Sequence, residues 1–356
     1  MTRFRVVLSG CLALAISCPA MAQPFHFVAL GDTAYNPPDD YPVYRALIET
    51  INSTGPAFTI HVGDTWGVMD CNDAEHQRIR DFFAEYDHPV VYTPGDNEWV
   101  DCAKSEVIEL GRRFLSGTPT EEDIATVTAA KSLDGSFART LSADGFSSLA
   151  SIRKTFFATS KSLGAKPMEL TRQADVSEFG DMVENALWTH QGVVFGTVHV
   201  TGTANNFFIN DQDRALEAIT RNNANVAWIK QIFAKAEESE AKAVVIALHA
   251  ALFMDRRDGE FTGISVRGGA TGPFYWTAWA IRDLGGEFGR PVLVIHGDFH
   301  EFEIDRPFMV SAGETQPPQY ANITRLQVYG SPEIKAVRVS VEPDTPWVFS
   351  FSPLHN

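Results

Sequence analysis

Residues 25–32 read Phe25-His26-Phe27-Val28-Ala29-Leu30-Gly31-Asp32, a short apolar run that stops on Gly-Asp. The pattern returns at Phe58-Thr59-Ile60-His61-Val62-Gly63-Asp64 and again at Val90-Val91-Tyr92-Thr93-Pro94-Gly95-Asp96. Helical patterns lie between the runs. Val43, Leu47 and Ile51, with Tyr44 and Ile48, recur at four-residue spacing, and Ile79, Phe82, Phe83 and Tyr86 share a face. Short β-rich runs alternating with helices indicate βαβ units and a largely parallel sheet, an α/β fold.

Further along, residues 192–201 are β-rich, and 212–238 reads as a long helix with Leu216, Ile219, Val226, Ile229 and Phe233 turned inward. Ala243 to Leu248 is a strand ending at His249, and Pro291 to Ile295 a strand ending at His296-Gly297-Asp298-Phe299-His300. From Arg325 onward apolar residues alternate (Leu326, Val328; Val337, Val339, Val341; Val348, Phe349), which predicts added antiparallel strands. Residues 104–150 break the rhythm, being rich in Ser, Thr, Ala and Gly; they read as an insertion or lid. Phe156-Phe157 then returns the chain to the core. No linker divides it, so 23–356 reads as a single domain.

The chain has 356 residues, 29 Lys+Arg against 45 Asp+Glu, and a net charge of −16. With 44% hydrophobic and 21% charged residues it is globular in composition, not disordered or collagen-like. An acidic balance without a basic block excludes a nucleic-acid-binding surface. An anionic substrate remains compatible, because bound cations reverse the local sign.

Residues 1–22 read as a secretory signal: Arg3 and Arg5, an apolar stretch from Val6 to Cys18, then Ala20-Met21-Ala22. Removing it takes away two Arg and no acid, so the charge becomes 27 − 45 = −18. The expected location is secreted or periplasmic. No later segment approaches the ~20 apolar residues of a membrane span. Only Cys71 and Cys102 then remain, an even pair in an oxidising compartment, which predicts a disulfide. Closing that loop stabilises the fold by roughly 3–4 kcal/mol on the chain-entropy account.

Five apolar strands thus end in metal-capable residues: Asp32, Asp64, Asp96, His249, and Asp298 with His300. One Gly-Asp after a strand is a turn signal. Four of them plus a strand-terminal His point to a shared polar site, because ligands on open α/β sheets gather at the carboxyl ends of the strands.

The order Gly31-Asp32, Gly63-Asp64, Gly95-Asp96-Asn97-Glu98, Leu248-His249, Gly297-Asp298-Phe299-His300 resembles the calcineurin-like metallophosphoesterases. Their pattern is Asp-x-His, Gly-Asp, Gly-Asn-His-Glu/Asp, a lone His, then Gly-His-x-His. The resemblance covers residues 25 to about 305. It implies a four-layer αββα sandwich with mixed sheets, a two-metal centre and a small phosphorylated substrate, hydrolysed by attack of a metal-bridging hydroxide. On it, Asp32 and His300 bind the first metal, Asp64 bridges, and Asp96 and His249 bind the second. Asp298 replaces the first His of Gly-His-x-His.

The departures bear on chemistry. Ala34 stands where Asp-x-His carries its His, and purple acid phosphatases instead use a Tyr three residues after the bridging Asp, here Gly67. Tyr35 and His61 are the nearby replacements. Asn97 replaces a His that acts near the leaving group; it can hydrogen-bond a phosphoryl oxygen but gives no proton at neutral pH. His296 or His61 is the substitute acid offered by the sequence, and Glu98 a direct participant or a buttress. Four Asp and two His carry −4 when ionised. Two divalent ions neutralise that, and the carboxylate-rich set favours Mn, Mg, Ca or Fe over Zn. The competing expectation is a binding protein that kept the scaffold and lost the chemistry. A serine hydrolase is disfavoured because no Gly-x-Ser-x-Gly elbow is present.

Overall fold

The computed structural model describes residues 22–67, 71–102, 110, 112–130, 136–252, 254–257, 260–263, 273–308 and 320–355; of 126–130, 136–144, 254–257 and 260–263 it describes the backbone alone. Residues 1–21 of the expected leader lie outside the described residues.

The first sheet has five strands. Strands β1 (Phe25–Leu30), β2 (Thr59–His61) and β3 (Val90–Tyr92) run parallel, as the βαβ rhythm requires. The helices α1 (Tyr41–Thr54) and α2 (Asp73–Ala84) form the crossovers. Asn72 caps α2 by accepting a hydrogen bond from Glu75 N at 3.0 Å, and Asp73 and Glu75 favour its positive end. In chain order there follow α3 (Glu121–Ala130), α4 (Ser136–Phe156), β4 (Thr171–Arg172), β5 (Ala186–His190), β6 (Val193–Thr197), α5 (Gln212–Glu238) and β7 (Ala243–Ala247). Then come β8 (Met254–Arg257), β9 (Glu260–Gly263), α6 (Tyr275–Phe288), β10 (Val292–His296), β11 (Glu303–Asp305), β12 (Ile323–Gln327), β13 (Ala336–Val341) and β14 (Phe349–Leu354). The five-stranded sheet is ordered β14-β13-β1-β2-β3, the seven-stranded one β11-β12-β10-β7-β6-β5-β4, and β8 with β9 forms a hairpin.

The two large sheets face each other. Phe27, Ala29, Phe58 and Ile60 of the first pack with Phe195, Val245, Leu293 and Ile295 of the second in one buried cluster. The other face of the first sheet, Val28 and Leu30, is covered by Leu47, Ile51, Ile79, Phe83, Ile152 and Phe156 of α1, α2 and α4. Val194, Val244, Ile246 and Val294 of the second sheet are covered by Trp228, Ile229 and Ile232 of α5 and Ile281 of α6. Near-continuous apolar strands buried on both faces are what a parallel sheet between two layers demands. The architecture is therefore the expected αββα four-layer sandwich with mixed sheets.

Two readings need correction. The tail strands β13 and β14 are antiparallel as expected, but β12 runs parallel to β10. Leu216 and Ile219 of α5 point outward, 62% and 49% exposed. That part of the helix instead turns Arg221 and Asn225 inward, toward a backbone carbonyl that needs donors, and Asn222, which accepts from Thr277 Oγ1. Of the expected insertion, 104–109, 111 and 131–135 lie outside the described residues. The end of α4 packs against the helical face of the first sheet. Leu149, Ile152 and Phe156 are core, and Ser151 Oγ lies 2.9 Å from His76 Nδ1 of α2.

Candidate metal centre

The site forms where the carboxyl ends of β1, β2 and β3 meet those of β7 and β10. Each Asp of the first two turns has a left-handed backbone, φ 49° at Asp32 and 52° at Asp64, and Asp298 (79°) and His300 (62°) repeat it. Asp tolerates this conformation better than most residues because its short polar side chain bonds locally. The turns lock to one another: Asp32 N donates to Gly63 O at 3.0 Å and Thr33 N to Asp64 O at 3.1 Å. Glycine is required where turn meets carboxylate. A Cβ at Gly297 would lie 1.9 Å from Asp32 Oδ2, and one at Gly95 2.0 Å from Asp64 Oδ1.

Ligand atoms of Asp32, Asp64 and His249 lie within 4.8 Å of one another, and so do those of Asp96, His249 and Asp298. His249 Nε2 is 2.9 Å from Asp96 Oδ1 and 3.5 Å from Asp64 Oδ1. His300 Nε2 is 3.6 Å from Asp32 Oδ1, and Asp298 N donates to that same oxygen at 3.0 Å. Asp298 Oδ2 accepts from Ala251 N at 3.0 Å. Asp32, Asp64, Asp96, His249, Asp298 and His300 thus meet at one end of the sandwich.

Both histidines are held by the ring nitrogen facing away from the carboxylates. His249 Nδ1 donates to Val62 O at 2.8 Å and His300 Nδ1 to Ser331 O at 2.9 Å. A carbonyl only accepts, so Nδ1 carries the proton and Nε2 of a neutral ring offers a lone pair. Those lone pairs face carboxylate oxygens, an arrangement that needs a cation or a second ring proton between them. Asp32 Oδ2 is buried without a hydrogen-bond partner. Among the described residues, Asp32, Asp64 and Asp96 form ion pairs only with histidines. This donor set fits metal ions.

The electrostatics agree. Burial pushes Asp32 up to about 7, with Asp298 and Asp96 adding repulsion and His249 opposing. Burial likewise pushes Asp64 well up and Asp298 up. At Asp96 burial is outweighed by hydrogen bonds from His249 and Thr203, and its carboxyl falls to about 2. At His249 burial is outweighed by Asp64, Asp96 and Asp32, which hold the ring well above its usual range. Carboxylates crowded against a single buried imidazolium have the charge deficit that a cation removes.

Around this cluster the expectations separate. Tyr35 joins the site: its hydroxyl donates to Asp64 Oδ2 at 2.6 Å and its ring meets His300 edge-on, centroids 5.1 Å apart. His61 does not. It is buried on the helical face of the sheet against Phe83 and Tyr92, 5.4 and 6.1 Å between centroids. Ala34, at the position of the absent His, is buried with φ 69°. Asn97 N donates to Asp64 Oδ1 at 3.0 Å, while its amide donates to Trp66 O at 3.1 Å. His296 was expected as a substitute acid. It has no exposed surface, its Nδ1 donates to Gly297 O at 2.9 Å, and burial pushes it down to about 3, so it is a neutral core residue.

Glu98 is a buttress. Its carboxylate accepts from Asp64 N, Thr65 N, Gly95 N, Thr65 Oγ1 and Tyr92 Oη, at 2.8–3.1 Å. Trp66 and Trp99 are core residues too, and Trp99 Nε1 donates to His199 Nε2 at 3.2 Å. The Cys71–Cys102 disulfide forms, tying together the segments that follow Asp64 and Asp96.

Neither Gly202 nor Thr203, in the turn after β6, stood out in the sequence. Gly202 comes so close that a Cβ there would lie 2.6 Å from Asp298 Oδ1 and 2.7 Å from Asp96 Oδ1. Thr203 Oγ1 donates to Asp96 Oδ2 at 2.6 Å. The available signal was the shared rhythm, since Thr201-Gly202-Thr203 follows an apolar strand as the Gly-Asp turns do. Farther along this turn, Asn205 and Asn206 bond Arg221 and Arg214.

No family model and no curated protein matches the sequence. Among solved structures the chain is similar to PhoD, at 10% identity and a TM-score of 0.46, covering 91% of this chain and 66% of that one. It therefore spans just under two thirds of PhoD's length. It is similar to a dimetal phosphatase from Danio rerio, at 9% identity and a TM-score of 0.49, covering 94% of this chain and 99% of that one. A third likeness, at 9% identity and a TM-score of 0.45, is to GAP50, the anchor in the inner membrane complex of Plasmodium, with 93% and 89% covered.

Proposed function

We propose that this chain is a secreted or periplasmic metal-dependent phosphoesterase that hydrolyses small phosphate esters. The observation that carries this reading is the pair of ligand clusters, Asp32-Asp64-His249 and Asp96-His249-Asp298, meeting at one His. The leader-like N-terminus and the disulfide support the location.

Asp32 and His300 would hold one ion, Asp96, His249 and Asp298 a second, and Asp64 both. Two bound cations would neutralise the phosphoryl oxygens and acidify a water for attack at phosphorus. The chain's own groups fix the geometry. Tyr35 and the Asn97 N–H steady the two oxygens of Asp64. The carbonyls of Val62 and Ser331 set the ring orientation of His249 and His300. Asn97, bonded to Trp66 O, orients the turn and gives no proton. With His296 buried and neutral, substrates with good leaving groups are favoured.

The test is metal content together with turnover of an activated aryl phosphate in one sample. The expected result is about two ions per chain, the number a two-metal centre holds, with turnover abolished in Asp64→Asn. Ala34 and the committed amide of Asn97 favour one other reading, a binding protein on this scaffold. Metal bound without turnover across Mn, Mg, Ca, Fe and Zn would establish that reading instead.

A further inference from the structure

The turn after β6 is built at a conformational cost. Thr203, Ala204, Asn205 and Asn206 are consecutive non-glycine residues with φ of 42°, 55°, 53° and 61°. Such a run persists only where its surroundings over-determine it, and such places cluster at functional sites. The surroundings here are explicit. Arg221, fully buried, donates to His199 O at 3.0 Å, Asn205 Oδ1 at 2.5 Å and Asn205 O at 3.0 Å. Arg214 Nε donates to Asn206 Oδ1 at 2.5 Å. What this clamp presents to the site is the Gly202 backbone and one hydroxyl.

We propose that Thr203 is the positioning residue that makes Asp96 a one-oxygen ligand, its hydroxyl holding Oδ2 so that Oδ1 alone faces the cation. The inference rests on the metal-centre reading. Asp96 Oδ1 is the atom 2.9 Å from His249 Nε2, and Oδ2 is the atom 2.6 Å from Thr203 Oγ1. The same hydroxyl lies 3.1 Å from Asp101 Oδ2, and Asp101 N donates to the Asp96 backbone carbonyl, which ties the turn that carries Asp96 to Thr203. The resembled motif carries Asn at this position, and an amide has one oxygen to give. Here a carboxylate with one oxygen already hydrogen-bonded offers the same single atom.

The experiment titrates metal-free protein with Mn2+, free ion being counted by electron paramagnetic resonance, so that it does not depend on turnover. Thr203→Val keeps the branched shape, Thr203→Gly suits the left-handed backbone, and Thr203→Ser keeps the hydroxyl. Far-UV circular dichroism and the thermal midpoint check folding. The expected result is a loss of about tenfold or more in affinity at one of two sites for Val and Gly, the usual effect of removing a ligand's supporting partner. Ser should bind as wild type. In an Asp96→Asn background, where no second anionic oxygen needs holding, Thr203→Val should cost little further affinity.

Val and Gly variants that bind Mn2+ as wild type does would overturn the proposal alone. So would a loss of equal size in the Asp96→Asn background, because the effect would then run through the shape of the turn. Wild-type protein that binds neither Mn2+ nor Zn2+ would overturn the metal-centre reading, and this inference with it.

Discussion

At the scale of single residues, the site is a set of carboxylates whose backbones had to be twisted to bring them together. Gly297 shows how little room is left. A methyl group there would lie 1.9 Å from Asp32 Oδ2 and 3.2 Å from its Oδ1. Gly297→Ala must therefore push away the Asp32 carboxylate or the Asp298 turn that bonds to it. The expected outcome is a folded protein with cation affinity lowered at least tenfold, on the scale of lost ligand support, measured by calorimetric titration with Mn2+. Retained affinity would mean that Asp32 is not a ligand. The positions that meet at the site were legible in the sequence because Asp32, Asp64, Asp96 and Asp298 each follow an apolar strand and a Gly, and His249 ends such a strand. Thr203 was not, because the rhythm that Thr201-Gly202-Thr203 shares with the Gly-Asp turns ends there on a hydroxyl residue, which offers a cation no carboxylate or imidazole. Tyr35 and His61 stood equal in the sequence. The left-handed residue at Ala34 separates them, by turning Tyr35 toward Asp64 while the strand alternation of β2 sends His61 to the helical face.

At the scale of elements, the parallel strands and their crossover helices were legible because apolar runs and four-residue spacings are strong periodic signals. The long helix α5 was placed correctly but turned wrongly over its first half. Periodicity rules assume that apolar residues face inward, whereas here Arg221 and Asn225 do so because the carbonyls of the turn after β6 need donors. The direction of β12 was misread because alternation reports a strand and says nothing about its partner. What joins the elements at the site is Glu98, accepting from the ends of both β2 and β3. Glu98→Gln replaces one acceptor oxygen with a donor that faces backbone N–H groups. Leaving such buried donors unpaired costs about 1–3 kcal/mol each. The expected outcome is a urea midpoint lowered by the equivalent of several kcal/mol, with β2 and β3 amides exchanging faster. An unchanged midpoint would remove Glu98 from the list of supports.

At the scale of the whole molecule, stability has a pH signature that can be isolated. Burial, with a further push from His249, holds His61 down to about 3. Its unfolded value is near 6.5. The unfolded chain therefore binds the extra proton between those values, and the stability contributed by the neutral ring is complete above about pH 6.5 and lost as pH falls toward 3. At pH 5 the loss is about 2 kcal/mol. The crowded carboxylates titrate over the same range, so the comparison is between wild type and His61→Gln, in which they cancel. Between pH 7.5 and pH 5 the wild type should lose about 2 kcal/mol more than the variant by urea denaturation, and parallel losses would refute the assignment. The molecule's division into two sheets also has a consequence for the ions it would hold. Asp32, Asp64 and Asp96 hang from the five-stranded sheet, and His249, Asp298 and His300 from the seven-stranded one. Each bound cation would be a rivet through both halves, so mass action by dissolved metal would tighten the seam between the sheets as it charges the site.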